Sequence, residues 1–208
     1  MPAALATAEL ADRDGTSLLR ALVLGYDIGA RLVMALGLGG VYARPHSTHS
    51  LGGLFGAAAA AGALLRLDAR EARFLLSYAV QQASGLAYWM RDPEHIEKAF
   101  DFGGMPARDG VAAATMVGAG FTGVEDPLAG ESTFLEAFAQ TPRPEALVEG
   151  LGKRFEIYGG VDQEVGRGRA DPGGARRAGD ADAHPRPRRG RRRQPGRPPA
   201  RRPHPSGR

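Results

Sequence analysis

Two histidines, His46 and His49, stand three residues apart in the polar stretch VYARPHSTHS, directly ahead of LGGLFGAAAAAGALLR. An imidazole titrates near neutral pH, so a loop histidine set before a helix can serve as a general acid or base. As a zinc pair the two lack obvious partners, because a structural zinc site takes four ligands. Ordinary loop histidines making hydrogen bonds are the other reading, and the residues alone leave both open. A second candidate is 90–104, MRDPEHIEKAFDFGG, which gathers Arg91, Asp92, Glu94, His95, Glu97, Lys98 and Asp101 between two apolar segments, flanked by Trp89 and Phe100. A lysine among carboxylates near apolar walls can bind an anionic substrate or tune a proton transfer; mixed charge equally suits a solvated helix face. Lys98 and Lys153 are the only lysines beside 25 arginines, which singles out the first. The third candidate, Gly118-Ala-Gly-Phe-Thr-Gly123, matches a dinucleotide-binding fingerprint in letters. That motif needs a strand before it and a helix after it. Here a helical pattern precedes and Val124-Glu-Asp-Pro follows, so a helix end and turn are expected instead.

The elements that must carry these residues read as helices. Residues 3–11 form a short one. Thr16 can cap a longer one, in which Leu18, Leu19, Leu22, Leu24, Ile28, Leu32, Val33 and Leu36 recur at helical spacings and which Gly37, Gly39 and Gly40 end. Residues 41–50 are expected as a polar loop. The next helix, 51–66, is built of small residues, so neighbouring backbones can approach it closely. Asp68-Ala-Arg-Glu71 fits a capping box opening a helix that shows Phe74, Leu75, Tyr78, Ala79 and Ala83 on one face. Pro106 suits the first turn of a helix running to about Val117. Shorter helices are expected at 132–139 and 143–151, and Phe155-Glu-Ile-Tyr158 as an incipient strand. The fold class is all-α.

Composition divides the chain in two. Of 27 basic and 23 acidic residues, 14 arginines and five acids fall in 159–208, giving that segment +9 and leaving 1–158 at −5. Residues 159–208 contain no Leu, Ile, Met, Phe, Tyr or Trp, so they cannot bury enough apolar surface to offset chain entropy. They are expected as a disordered basic tail beside a helical body, 1–158. With no cysteine there is neither a disulfide framework nor a thiolate metal site. No stretch reads as long and apolar enough to span a bilayer, and the N-terminus lacks the basic flank and apolar core of a signal peptide, so a cytoplasmic protein is the expectation.

In order, LVLGYDIGAR (22–31), HSTHSLGGLFGAAAAAGALLRLDAREARFLLSYAVQQASG and EKAFDFGGMPARDGVAAATMVGAGFTG resemble the MmgE/PrpD family, over nearly all of 1–158. The resemblance implies part of a large helical domain, to be completed by a smaller α+β lid, and assembly as a homodimer. It implies no obligatory metal or organic cofactor and a small polycarboxylate substrate. The chemistry is of the 2-methylcitrate dehydratase kind: a base removes a proton α to a carboxylate, the β-hydroxyl leaves, and cations hold the carboxylates. The family's histidine ahead of the small-residue helix corresponds to His46 or, with a shifted gap, to His49, and its lysine to Lys98. These positions imply His46 and Lys98 as catalytic residues, with His49 beside them as a substrate-binding residue. Apart from the resemblance, Arg91 and Arg108 are candidate holders of carboxylates, with surface or structural arginines as the other reading. Many members carry a histidine shortly after the lysine; Asp101 or Phe102 stands there here, which leaves substrate and reaction open.

The resemblance places the first residue inside the family's helical domain and stops at Tyr158, near where the lid should begin. A chain so truncated is expected to be nearly inactive. Read from the second nucleotide of each codon, the Gln163-Glu164 and Glu164-Val165 junctions encode Lys or Arg, and the shifted frame continues as an amphipathic helix. Residues from about 159 onward are therefore expected to be the frameshift product of a GC-rich gene. The alternative is a non-catalytic helical module whose authentic arginine-rich arm binds nucleic acid or another polyanion. No aromatic residue interleaves those arginines, so base stacking is not expected of it.

Overall fold

The computed structural model describes residues 1–37, 45–94, 99–130 and 133–158. The readings placed on Gly39, Gly40, Lys98 and the 159–208 tail lie outside the described residues. The chain opens with α1 (Pro2–Leu10) and α2 (Gly15–Ala35), continues through α3 (Thr48–Leu65) and α4 (Ala69–Gln82), and loosens into a 3-10 turn at Tyr88–Arg91. A π-helical turn at Phe100–Gly104 leads into α5 (Met105–Gly118), and α6 (Phe134–Phe138) precedes a 3-10 turn at Pro144–Leu147. Among the described residues there is no strand, only an isolated antiparallel bridge between His46 and Leu86. The all-α reading holds.

The helix ends follow local chemistry. Asp14, not Thr16, caps α2: its carboxylate accepts from Ser17 N at 2.7 Å, which leaves Thr16 inside the first turn. Gly37, with φ 72°, turns the chain off the end of α2. Helix α3 starts at Thr48, three residues earlier than the polar-loop reading allowed, because Ser47 caps it and accepts from Ser50 N at 3.2 Å. At its other end Arg13 Nε donates to Leu64 O at 2.7 Å. The Asp68–Glu71 capping box forms as expected, and a second one, Thr133–Glu136, opens α6. Pro106 sits in the first turn of α5. The 143–151 expectation shrinks to one 3-10 turn followed by further turns.

Helix α3 is central among the described helices and packs against both α2 and α5. The missing side chains do the positioning. A Cβ on Gly56 would lie 2.6 Å from Gly25 O, and one on Gly29 would lie 2.6 Å from Gly52 O. A Cβ on Gly110 of α5 would lie 2.6 Å from Leu54 O. The three helices thus meet backbone to backbone, the close approach the small-residue run suggested. Leu32, Leu36, Leu51, Leu54 and Phe55 fill the core beside these crossings together with Phe74, Leu75, Val117 and Phe134, each large side chain contributing about 1.5–3 kcal/mol. By length and composition α3 could cross a bilayer, contrary to the sequence reading; half of it is buried between its neighbours.

The buried face of α2 differs from its leucine pattern. Ala21, Gly25, Asp27, Gly29, Arg31, Leu32 and Ala35 face inward, while Leu19, Val23, Leu24 and Tyr26 are exposed. Arg31 has no exposed surface. Its guanidinium binds Asp27 Oδ2 at 2.8 Å, and it donates to Glu149 O at 2.8 Å and Arg154 O at 2.7 Å. Asp27 Oδ1 in turn accepts from Glu156 N at 2.7 Å. This pair straps residues 146–156 onto α2. It also replaces the strand expected at 155–158: residues 156–158 are helical, and no partner strand exists among the described residues.

Candidate active site

The start of α3 is built on a short antiparallel contact between 45–47 and 85–87. Ser47 N donates to Gly85 O at 2.6 Å and Ala87 N to Pro45 O at 2.9 Å. Gly85 has φ 56°, and a Cβ there would lie 2.5 Å from Leu51 Cδ2, so the turn requires glycine. This contact fixes the histidine-bearing segment to the one that carries Tyr88 and Trp89. A cavity of about 320 Å³ opens beside it. Ser50, Leu51 and Leu54 of α3 form one wall, and Gln82, Leu86 and Trp89 contribute the next. Asp101, Met105 and Asp109 complete it from the π-turn and α5.

The two histidines separate. The His46 ring packs on Phe138, with centroids 5.2 Å apart, and its backbone bridges to Leu86. His49, one turn into α3, meets the edge of Trp89 at 6.0 Å and of Phe102 at 6.2 Å; Trp89 and Phe102 lie 4.6 Å apart. His49 is exposed and packs against Trp89, which lines the cavity, without lining the cavity itself; His46 lies on the α6 side of the same segment. Ser47, between them, is buried; its Oγ accepts from both Ser50 N and Trp89 Nε1, at 3.2 and 3.3 Å.

The expected cations are distributed unevenly. Arg91 is exposed and lies over the Tyr88 ring, 5.7 Å from its centroid. Arg108 lies over Phe100 and is held by Asp109 Oδ1 through Nε at 2.9 Å and Nη2 at 2.7 Å. Arg108 lines a second cavity, of about 630 Å³, walled by Ala4, Leu22, Gly25, Gly56 and Ala57. That larger space is apolar and holds no histidine or carboxylate, so it offers no acid–base chemistry. Lys98 falls outside the described residues. Among the described residues no group of three metal-ligating side chains gathers.

The GAGFTG motif is a helix end. Gly118 is the last residue of α5, Gly120 adopts φ 93°, and no helix begins within 119–130, so no helix N-terminus stands beside the motif to meet a pyrophosphate. Sequence reasoning missed Ser47, Tyr88 and Asp109. The serine was legible only once α3 was known to begin at Thr48, which makes Ser47 its cap.

The sequence model of the MmgE/PrpD N-terminal domain matches residues 1–147. The chain belongs to the MmgE/PrpD family. The match covers α1 to α6, both histidines and the whole of the smaller cavity. A search of curated proteins finds no match. In this MmgE/PrpD domain the two candidate histidines, His46 and His49, lie at the start of the central helix, beside the irregular aromatic segment that carries Trp89.

Proposed function

We propose that residues 1–158 form the histidine-bearing helical half of a lyase-type site. It acts on a small polycarboxylate by proton abstraction and loss of water, as a 2-methylcitrate dehydratase does. The observation that supports this reading is the cavity of about 320 Å³ at the first turn of α3, a size suited to a small acid. Its wall is the Trp89 indole, against which His49 packs. A neutral imidazole beside such a wall can take the proton α to a carboxylate. His49 holds that place in this reading, with His46 on the same segment. Lys98 and Arg91 supply cations for the carboxylates. Arg108 acts by neutralising Asp109, which it already binds. Asp101 and Asp109 line the cavity and can accept a hydrogen bond from the substrate hydroxyl.

The reading is tested by titrating citrate and 2-methylcitrate into the full chain and following heat and Trp89 fluorescence. Saturable binding that weakens with salt is expected; absence of binding by both acids would overturn the reading. Turnover, followed by the ultraviolet absorbance of the unsaturated acid, is expected to be slow, because an open cavity does not exclude water. A homodimer is part of the same proposal. Leu19, Val23 and Tyr26 form an exposed apolar stripe on α2, and a monomer by sedimentation would remove that part.

A further inference from the structure

The residue between the two histidines makes contacts that a helix cap alone does not need. Ser47 is 3% exposed. Its hydroxyl accepts from Ser50 N at 3.2 Å, the capping bond, and from Trp89 Nε1 at 3.3 Å, a bond to a side chain 42 residues away. Its own N–H is tied to Gly85 O at 2.6 Å. One oxygen therefore joins the first turn of α3 to the indole that walls the cavity. Trp89 in turn carries contacts to His49 at 6.0 Å and to Phe102 at 4.6 Å. Trp89 is half-buried on its 3-10 turn, and the indole N–H bond adds a directional contact to the ring packing on Phe102 and His49.

We propose that Ser47 is a positioning residue that sets the Trp89 indole at the cavity wall and, through it, the His49 imidazole packed against that indole. This rests on the polycarboxylate reading of that cavity. Ser47 does not touch substrate; it acts through the ring. If the ring turns away, His49 loses one of its two aromatic neighbours and the cavity loses an apolar wall. Both changes weaken the hold on a small acid.

Trp89 is the only tryptophan, so its fluorescence reports on the site directly in the full chain. In Ser47→Ala the emission is expected to shift to longer wavelength as the indole meets water, and Ser47→Thr, which keeps the hydroxyl, is expected to restore the wild-type spectrum. An unchanged spectrum in Ser47→Ala would overturn the proposal whether or not any acid binds. Citrate binding by calorimetry supplies the second arm. Ser47→Ala and Trp89→Phe each remove one side of the same bond, and each is expected to weaken citrate about three- to tenfold. The double variant is expected to be no weaker than the poorer single variant, because the two share one interaction. Additive losses, or wild-type affinity in Trp89→Phe, would show that Ser47 only caps the helix. A wild-type chain that binds no citrate would instead overturn the polycarboxylate reading, and with it the part assigned to Ser47 in binding; the ligand-free spectra still decide whether Ser47 holds the ring.

Discussion

The body and the first turn of one helix present opposite solutions. Along its body α3 meets α2 and α5 through glycine and alanine, with backbone against backbone and a Cβ excluded at Gly29, Gly56 and Gly110. The charge this region buries, Arg31, is satisfied by a carboxylate and by backbone carbonyls of the 146–156 strap. At its first turn the same helix meets large aromatic rings on 3-10 and π turns, and the arginines nearby are exposed. The body is fixed by the absence of side chains, and the rim by a few side-chain bonds. Substitutions in the body should therefore cost stability, and substitutions in the rim should cost binding.

The largest effect is expected at the buried charge. Arg31→Ala leaves Asp27 buried without its guanidinium and the carbonyls of Glu149 and Arg154 without their donor. A loss of about 3–5 kcal/mol is expected in urea denaturation. Amide exchange should rise throughout 146–156, the segment that Arg31 straps down. A loss below about 1 kcal/mol would show that water replaces the clamp and that the body is looser than its packing implies.

Next is the crossing itself. Gly56→Ala places a Cβ 2.6 Å from Gly25 O, a backbone atom that cannot move without shifting α2. A destabilisation of about 1–3 kcal/mol is expected. Gly15→Ala, where a Cβ meets nothing within 4 Å, is the control and is expected to be neutral or slightly stabilising.

In the rim the signs should separate. His49 is exposed, so His49→Asn is expected to change stability by under about 0.5 kcal/mol while citrate binding falls. His46→Asn tests the other histidine. Its ring packs on Phe138, so a larger stability loss and a smaller binding loss are expected. The reverse outcome would move the acid–base role from His49 to His46.

The body was more legible in sequence than the rim, for physical reasons. Caps, prolines and small-residue runs act locally, so the Asp68–Glu71 box, Pro106 and the glycine-rich α3 could be read directly. Asp14 and Thr16 are both competent caps, and only the position of the helix chooses between them. Asp27 and Arg31 stand four apart, the spacing of an ordinary exposed helix pair; nothing local reveals that a strap more than a hundred residues later covers them. The leucines of α2 marked a helix but not its buried face, because the close approach to α3 reserves that face for glycine and alanine. In the site, residue types located the histidines, but their partners Trp89, Phe102 and Phe138 come from distant segments. Arg91 and Arg108 were visible as cations, while their engagement with Tyr88 and Asp109 was not.

The smallest expected effect compares the two helix caps, Asp14 on α2 and Ser47 on α3. The N–H of Ser17 holds the Asp14 carboxyl below its ordinary value of 3.8, helped by the Ser17 hydroxyl and the charge of Arg20. Because the folded pKa is depressed, the unfolded chain binds the proton more readily. The capping contribution is therefore complete above about pH 4 and is lost as pH falls through the folded pKa. Asp14→Asn keeps a capping side chain but cannot titrate. The melting-temperature gap between wild type and Asp14→Asn is expected to narrow as pH is lowered from 5 to 2, within about the range where carboxylates protonate. Ser47 has no proton to gain, so the gap between wild type and Ser47→Ala is expected to stay constant over the same range. A gap at Ser47 that also narrows would mean that a carboxylate at the cavity, Asp101 or Asp109, supports the start of α3, and the rim would then share the electrostatic dependence assigned here to the body.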